Sequence, residues 1–154
     1  MDLKEISDRM EIQELMVAYC YAVDSSNWDA LDAVFTPDAI IDYSEMVGVR
    51  GTLTEIKAFL AASLSQVAGF QHCISTTQLK FEGDTARGRT VCFNPITIRK
   101  ADGAKQVMFM GLWYRDIFVR TPQGWRIRER YEERAYTHNA VSYTHLTLPT
   151  ILRV

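Results

Sequence analysis

No stretch of this 154-residue chain reaches the roughly 18 consecutive apolar residues that a bilayer-spanning helix requires. No membrane segment is therefore expected. The opening "MDLKEISDRMEI" is polar and has no apolar signal core. Cysteines number three, Cys20, Cys73 and Cys92, and their odd count and apolar neighbours read as reduced, buried thiols of a cytoplasmic protein rather than a disulfide framework. Histidines also number three, at no spacing that resembles a zinc or iron site, and no glycine-rich phosphate loop is present, so neither metal nor cofactor is expected. A net charge of −2 leaves no electrostatic footprint for nucleic acid or an anionic membrane.

What is there is an ordinary globular composition, 47% hydrophobic and 23% charged, of a length suited to one domain with one core. Ile12, Leu15, Met16, Tyr19, Cys20 and Val23 recur at helical spacing, which predicts a first helix over about 3–23. Ser25, Ser26 and Asn27 break it, and one of them can cap a short second helix carrying Trp28, Leu31, Val34 and Phe35. A brief strand, "AIIDY", follows, and Thr52 or Thr54 caps a third helix with Ile56, Phe59, Leu60 and Leu64 inward. From Phe70 the pattern becomes β-rich. Breaks at "EGD", "KADG" and "TPQG" separate runs over about 70–82, 84–100, 105–120 and 124–137, which predict an antiparallel meander. Three helices and a long curved antiparallel sheet give an α+β architecture whose open end can leave a ligand cavity.

Asp24 ends the first apolar helix one turn beyond Cys20. Alone it reads as a helix-end acid that accepts free N–H groups of the next helix. His72, in "GFQHCIST", opens the first long strand and alternates with Phe70 and Ile74; alone it reads as a satisfied core histidine. Together they carry a sharper meaning. A carboxylate on one imidazole nitrogen fixes the tautomer and makes the other nitrogen a better base. Tyr19, Tyr21 and Tyr43 can donate to a leaving group or developing oxyanion, although a core tyrosine with a wet hydroxyl is the commoner case. Asn94 can orient a substrate, or mark a bulge or edge before Pro95. "RIRERYEER" places Arg126, Arg128, Arg130 and Arg134 on one strand face, and the spacing does not say which of them turns inward. "VMFMGLWY" is apolar on both faces, so its outer side is expected to meet another copy of the chain.

The run "EIQELMVAYCYAVDSSNWDALDAVFTPDAIIDY" resembles the opening of the SnoaL-like family, a branch of the nuclear-transport-factor-two-like superfamily. "GLWYRDIFVRTPQGWRIRER" resembles that family's last two strands. The resemblance implies a cone-shaped sheet wrapped over three N-terminal helices and enclosing a pocket, and a homotrimer. The pattern is most similar to scytalone dehydratase, bile-acid 7α-dehydratase and hexachlorocyclohexane dehydrochlorinase, which eliminate water or HCl with an Asp–His pair and no cofactor. By position this implies Asp24 and His72 as the catalytic pair. Tyr19, Tyr43, Arg128 and Arg134 would bind substrate by the same match, and Asn94 joins them from the reading of the residues alone. "VCFNPIT" holds no second histidine, and the pocket asparagine of scytalone dehydratase falls near Met110, which argues against scytalone itself.

The expected function is thus a cofactor-independent lyase acting on a hydrophobic, cyclic small molecule. Isomerisation or polyketide-type cyclisation in the same pocket is one alternative. A non-catalytic ligand-binding or assembly module, with Asp24 and His72 as a buried polar pair, is another. One domain is expected over 1–139. Residues 140–154 are similar to read-through of cloning or adaptor sequence, or else form a native tail packed on a neighbouring subunit; His138 and His145 are expected to be non-catalytic.

Overall fold

The structure, a computed structural model, describes residues 1–65 and 67–140. The expectations for the tail, including His145, therefore fall outside the described residues, apart from Ala140.

Helix α1 spans Leu3–Asp24 and buries Ile12, Met16, Tyr19 and Val23 on one stripe. The Asp2 carboxylate caps its start by accepting the Glu5 N–H at 2.8 Å. Its end is closed by two crossed bonds, Asn27 N–H to Ala22 O at 2.8 Å and Ser26 N–H to Val23 O at 2.9 Å. Ser26 takes the left-handed conformation this closure needs, with φ 56°. A short 3-10 helix, Trp28–Ala33, begins where the Asn27 side chain accepts the Ala30 N–H.

Strand β1 (Phe35–Asp42), the one-turn α2 (Ser44–Val47), β2 (Arg50–Thr52) and α3 (Leu53–Leu64) follow. Thr52 is the α3 cap, in a reciprocal box with Glu55. The remaining strands are β3 (Gly69–Phe70), β4 (Cys73–Glu82), β5 (Thr85–Arg99), β6 (Lys105–Thr121) and β7 (Gly124–His138). The sheet order is β2-β1-β7-β6-β5-β3, with β4 also on β5. The long strands form the antiparallel meander expected from their turns. β1 adds a parallel pairing on the β7 edge, so the curled sheet is mixed. The architecture is α+β, with helices against the concave face.

Alternate residues of β5 and β6 face the helices: Cys92, Asn94 and Ile96 on one strand, Met110, Leu112, Tyr114 and Phe118 on the other. β7 does not alternate cleanly. Trp125 and Ile127 are buried, then Arg130 and Glu132. Ile127 pairs with Phe118 and Glu129 with Ile117, which leaves Arg128 as an extra residue. This bulge moves the inward face of β7 from odd to even positions.

Cys73 is exposed at the first position of β4, which corrects its reading as a buried thiol; Cys20 and Cys92 are buried. Among the described residues no helix is long and apolar enough to cross a membrane.

Candidate active site

Asp24 is the last residue of α1, where the helix dipole is negative and the final turn holds no basic residue. A carboxylate there is disfavoured by roughly 0.3–1 kcal/mol unless something compensates it. The compensation comes from His72. The backbone N–H of His72 donates to both Asp24 oxygens at 3.0 and 3.2 Å, and its ring Nδ1 lies 2.6 Å from Asp24 Oδ1. His72 sits in the break between β3 and β4 rather than within a strand, which frees its own N–H for this contact. Its side chain is 7% exposed and that of Asp24 24%.

When Nδ1–H donates to the Asp24 carboxylate, Nε2 carries the ring's lone pair. Asn94 of β5 approaches that nitrogen with Nδ2 at 3.2 Å, while its Oδ1 is buried without a partner among the described residues. The three side chains form a line from the end of α1 to the sheet, and His72 and Asn94 open on a cavity of about 120 Å³. The rest of the wall is largely apolar, with Phe59, Leu60, Ile96, Met110 and Leu112 among its residues.

Tyr19 and Tyr43 also line the cavity, with their hydroxyls 2.8 Å apart. Burial pushes both phenols well above their ordinary range, so they remain neutral donors. The Tyr19 ring stands edge-on to the His72 ring at 6.0 Å. Tyr21, by contrast, is exposed.

The two proposed arginines are not brought to this place, and both positions are corrected. Arg128, in the bulge, lies beside Glu129 at 3.7 Å. Arg134 is exposed and holds Glu45 through its backbone N–H at 2.7 Å, while its guanidinium reaches the Glu45 carbonyl. The arginine that turns inward is Arg130. It makes two bonds to Asp116, Nε–Oδ1 at 2.8 Å and Nη2–Oδ2 at 2.9 Å, and both side chains are fully buried. Its guanidinium sits 4.0 Å from the ring centres of Tyr19 and Tyr114. Arg130 therefore braces a cavity tyrosine from behind.

One cavity residue has no counterpart in the sequence reading. Glu132, directly across from Tyr114 on β6, lines the cavity and makes no hydrogen bond or ion pair among the described residues. Burial raises its carboxyl to about 8, against a smaller opposing pull from Arg130. The signal that could have found it is the bulge at Arg128, which local alternation does not reveal.

A larger, open trough of about 980 Å³ lies on the sheet, lined by charged side chains such as Arg87, Arg89, Arg115 and Glu133. Arg89 and Arg115 pair with Glu133 there, and neither Asp24 nor His72 reaches it. The smaller cavity is where a largely apolar wall meets the Asp24–His72 pair. Among the described residues no group of three or more His, Cys, Asp or Glu is placed to hold a metal ion.

Residues 4–131 match the family described as SnoaL-like domain. The chain belongs to the SnoaL-like family. The uncharacterized protein Rv2910c of Mycobacterium tuberculosis is 45% identical over 136 residues, which is 88% of this chain and 91% of that one. Among solved structures, a candidate scytalone dehydratase from Novosphingobium aromaticivorans superposes with a TM-score of 0.78 at 19% identity, covering 90% of this chain and 91% of that one. A hexachlorocyclohexane dehydrochlorinase, LinA type 2, superposes at 0.77 and 19% identity, covering 92% and 95%. These likenesses establish a shared SnoaL-like fold whose neighbours include dehydratase and dehydrochlorinase structures.

Proposed function

We propose that the protein is a cofactor-independent lyase that eliminates water or a hydrogen halide from a hydrophobic cyclic molecule. The observation that carries this reading is the Asp24–His72–Asn94 line opening on an apolar cavity. Asp24 holds the imidazole by ring and backbone at once, so His72 presents Nε2 in one orientation. Nε2 takes a proton from the substrate carbon next to the one bearing the leaving group. The C–H electron pair becomes the second bond of an alkene, and the leaving group departs with its own pair. The imidazolium that forms is stabilised by the Asp24 carboxylate. The Asn94 amide, now next to Nε2, marks where the reacting carbon must come and can steady the substrate. Tyr19 and Tyr43 supply neutral hydroxyl donors to oxygen on the substrate. The dehydratase and dehydrochlorinase names among the structural neighbours support the reaction class.

A panel of hydroxylated and chlorinated six-membered-ring compounds, followed by mass spectrometry for loss of water or HCl, tests the reading. Wild type is expected to convert at least one compound. His72→Ala should abolish the conversion, and Asp24→Asn should slow it on the order of 10²–10⁴-fold while leaving the fold intact, because the base remains and only its orientation and charge stabilisation are lost. Equal turnover by wild type and His72→Ala, or no elimination from any compound, would overturn it.

A further inference from the structure

We propose that Glu132 is a second catalytic group in this cavity, a neutral carboxyl that delivers its proton to a departing hydroxyl, so that the substrates are small hydroxylated ring compounds and the reaction is loss of water. The inference rests on the elimination reading and narrows it.

Glu132 is 7% exposed, lines the same cavity as His72 and Asn94, and is without a hydrogen-bond partner among the described residues. A buried carboxylate in that state is costly unless a cation or several donors surround it, whereas a buried neutral carboxyl is tolerated and carries a proton to donate. The nearby cation, Arg130, is already committed to Asp116 by two bonds. The second unsatisfied group, Asn94 Oδ1, is also buried in this wall. An occupant with hydroxyl or carbonyl groups would meet both: its oxygen accepts from Glu132 and its O–H donates to Asn94.

The chemistry distinguishes the leaving groups. Chloride is a weak base and departs without a proton. Hydroxide is a strong base and must be protonated as it leaves, which is the task of a general acid. In the proposed step His72 Nε2 takes the proton from one ring carbon and the C=C bond forms. The C–O bond on the neighbouring carbon breaks, and that oxygen takes the Glu132 proton to leave as water. The imidazolium and the Glu132 carboxylate then face one another across the cavity. The proton passes back from His72 to Glu132 through the released water, which restores both groups. A cavity of about 120 Å³ suits a single ring, since an apolar cavity of about 150 Å³ holds benzene.

Among the described residues that line the cavity, Glu132 is the one carboxyl, and these groups face it. From α1 and the turn after β1 come the phenols of Tyr19 and Tyr43, and from β6 that of Tyr114, all pushed upward by burial. Burial likewise lifts the Cys20 and Cys92 thiols to about 11 and about 12. Asp116 and Arg130 are paired, α3 contributes Phe59, Leu60 and Ser63 to the wall, and His72 with Asp24 is controlled by variant below.

Two measurements on the full chain test this. In infrared pH-difference spectra, wild type should show a protonated carboxyl band that disappears with a midpoint near 8 and is absent from Glu132→Gln. Calorimetry with cyclohexanone as a hydrogen-bond-accepting probe should give binding about tenfold weaker at pH 9 than at pH 7, following loss of the Glu132 proton. Chlorocyclohexane should bind equally at both. Glu132→Gln should bind cyclohexanone without the pH dependence, because an amide still donates. His72→Ala should retain the dependence, which separates this proposal from the dyad reading: an intact cyclohexanone titration with no elimination sinks the dyad alone. Absence of the carboxyl band from wild type, or pH-independent cyclohexanone binding by wild type, would overturn the role of Glu132.

Discussion

Replacing Arg130 by Met should be among the most damaging single changes to this fold, for reasons that can be worked from its contacts. Both Arg130 and Asp116 have side chains with no solvent exposure, joined by bonds of 2.8 and 2.9 Å. Removing the arginine leaves a carboxylate in the core with no cation, which costs about 3–5 kcal/mol. Two stacked contacts at 4.0 Å, on Tyr19 and Tyr114, are lost as well. Against a typical domain stability of about 5–15 kcal/mol this is about a fifth of the total or more. The orphaned Asp116 can escape by taking a proton, so the deficit should shrink as pH falls. The pair itself need not be strongly stabilising: Arg130 Nη1 is buried and has no hydrogen-bond partner among the described residues. Asp116→Leu combined with Arg130→Met should therefore recover to within about 1–2 kcal/mol of wild type, because the desolvation of both charges disappears together. Urea unfolding followed by tryptophan fluorescence, analysed as a double-mutant cycle, reads all three values. A loss under about 1 kcal/mol for Arg130→Met, or a double variant as unstable as the sum of the singles, would refute the reasoning.

Asp8 gives a pH signature in the acid range. Burial acts to raise its carboxyl, but bonds from Arg120, Lys4 and Trp125 prevail and hold it at about 2, below the ordinary 3.8. Its stabilisation is therefore present above about pH 4 and lost as pH falls toward about 2, and Asp8→Asn should flatten that limb of an acid-unfolding curve. Gly88→Ala should cost roughly 1–3 kcal/mol in a thermal melt, since a Cβ there would lie 2.6 Å from the Phe118 ring and 3.2 Å from Leu79. Light scattering is expected to report a homo-oligomer, a trimer by resemblance, because Phe93 and Phe109 stack on the outer side of the sheet with centroids 5.6 Å apart and need cover; a clean monomer at micromolar concentration would count against it.

The helices were legible because their apolar spacing and their caps agree. Ile12, Met16 and Tyr19 are buried where the periodicity put them, and Thr52 closes the box with Glu55. The long strands were legible because "EGD", "KADG" and "TPQG" are strong local breaks. The parallel seat of β1 on β7 was not, since no local signal sets which distant edge a strand joins. In the candidate site, Asp24 and His72 stood out by type and position, and the contact between them spans 48 residues of sequence. Arg128 was misplaced and Glu132 missed for one physical reason: strict alternation along "RIRERYEER" assumes an unbroken ladder, and Arg128 interrupts it. Arg134 shares the even positions of Arg130 and Glu132 but sits where β7 becomes exposed, beside a second irregularity of the ladder between Arg134 and Tyr136.

That extra residue has a consequence for how such a cavity can change over time. Deleting Arg128 itself would flatten the bulge and leave Glu129 opposite Ile117, Arg130 opposite Asp116 and Glu132 opposite Tyr114, so the same side chains would face inward. The bulge thus holds one spare residue. A single codon lost there would leave the buried charges of the cavity in place while changing the odd-even count of the strand. Comparison of related chains by alternation alone would then record an inverted strand where the chemistry inside had been kept.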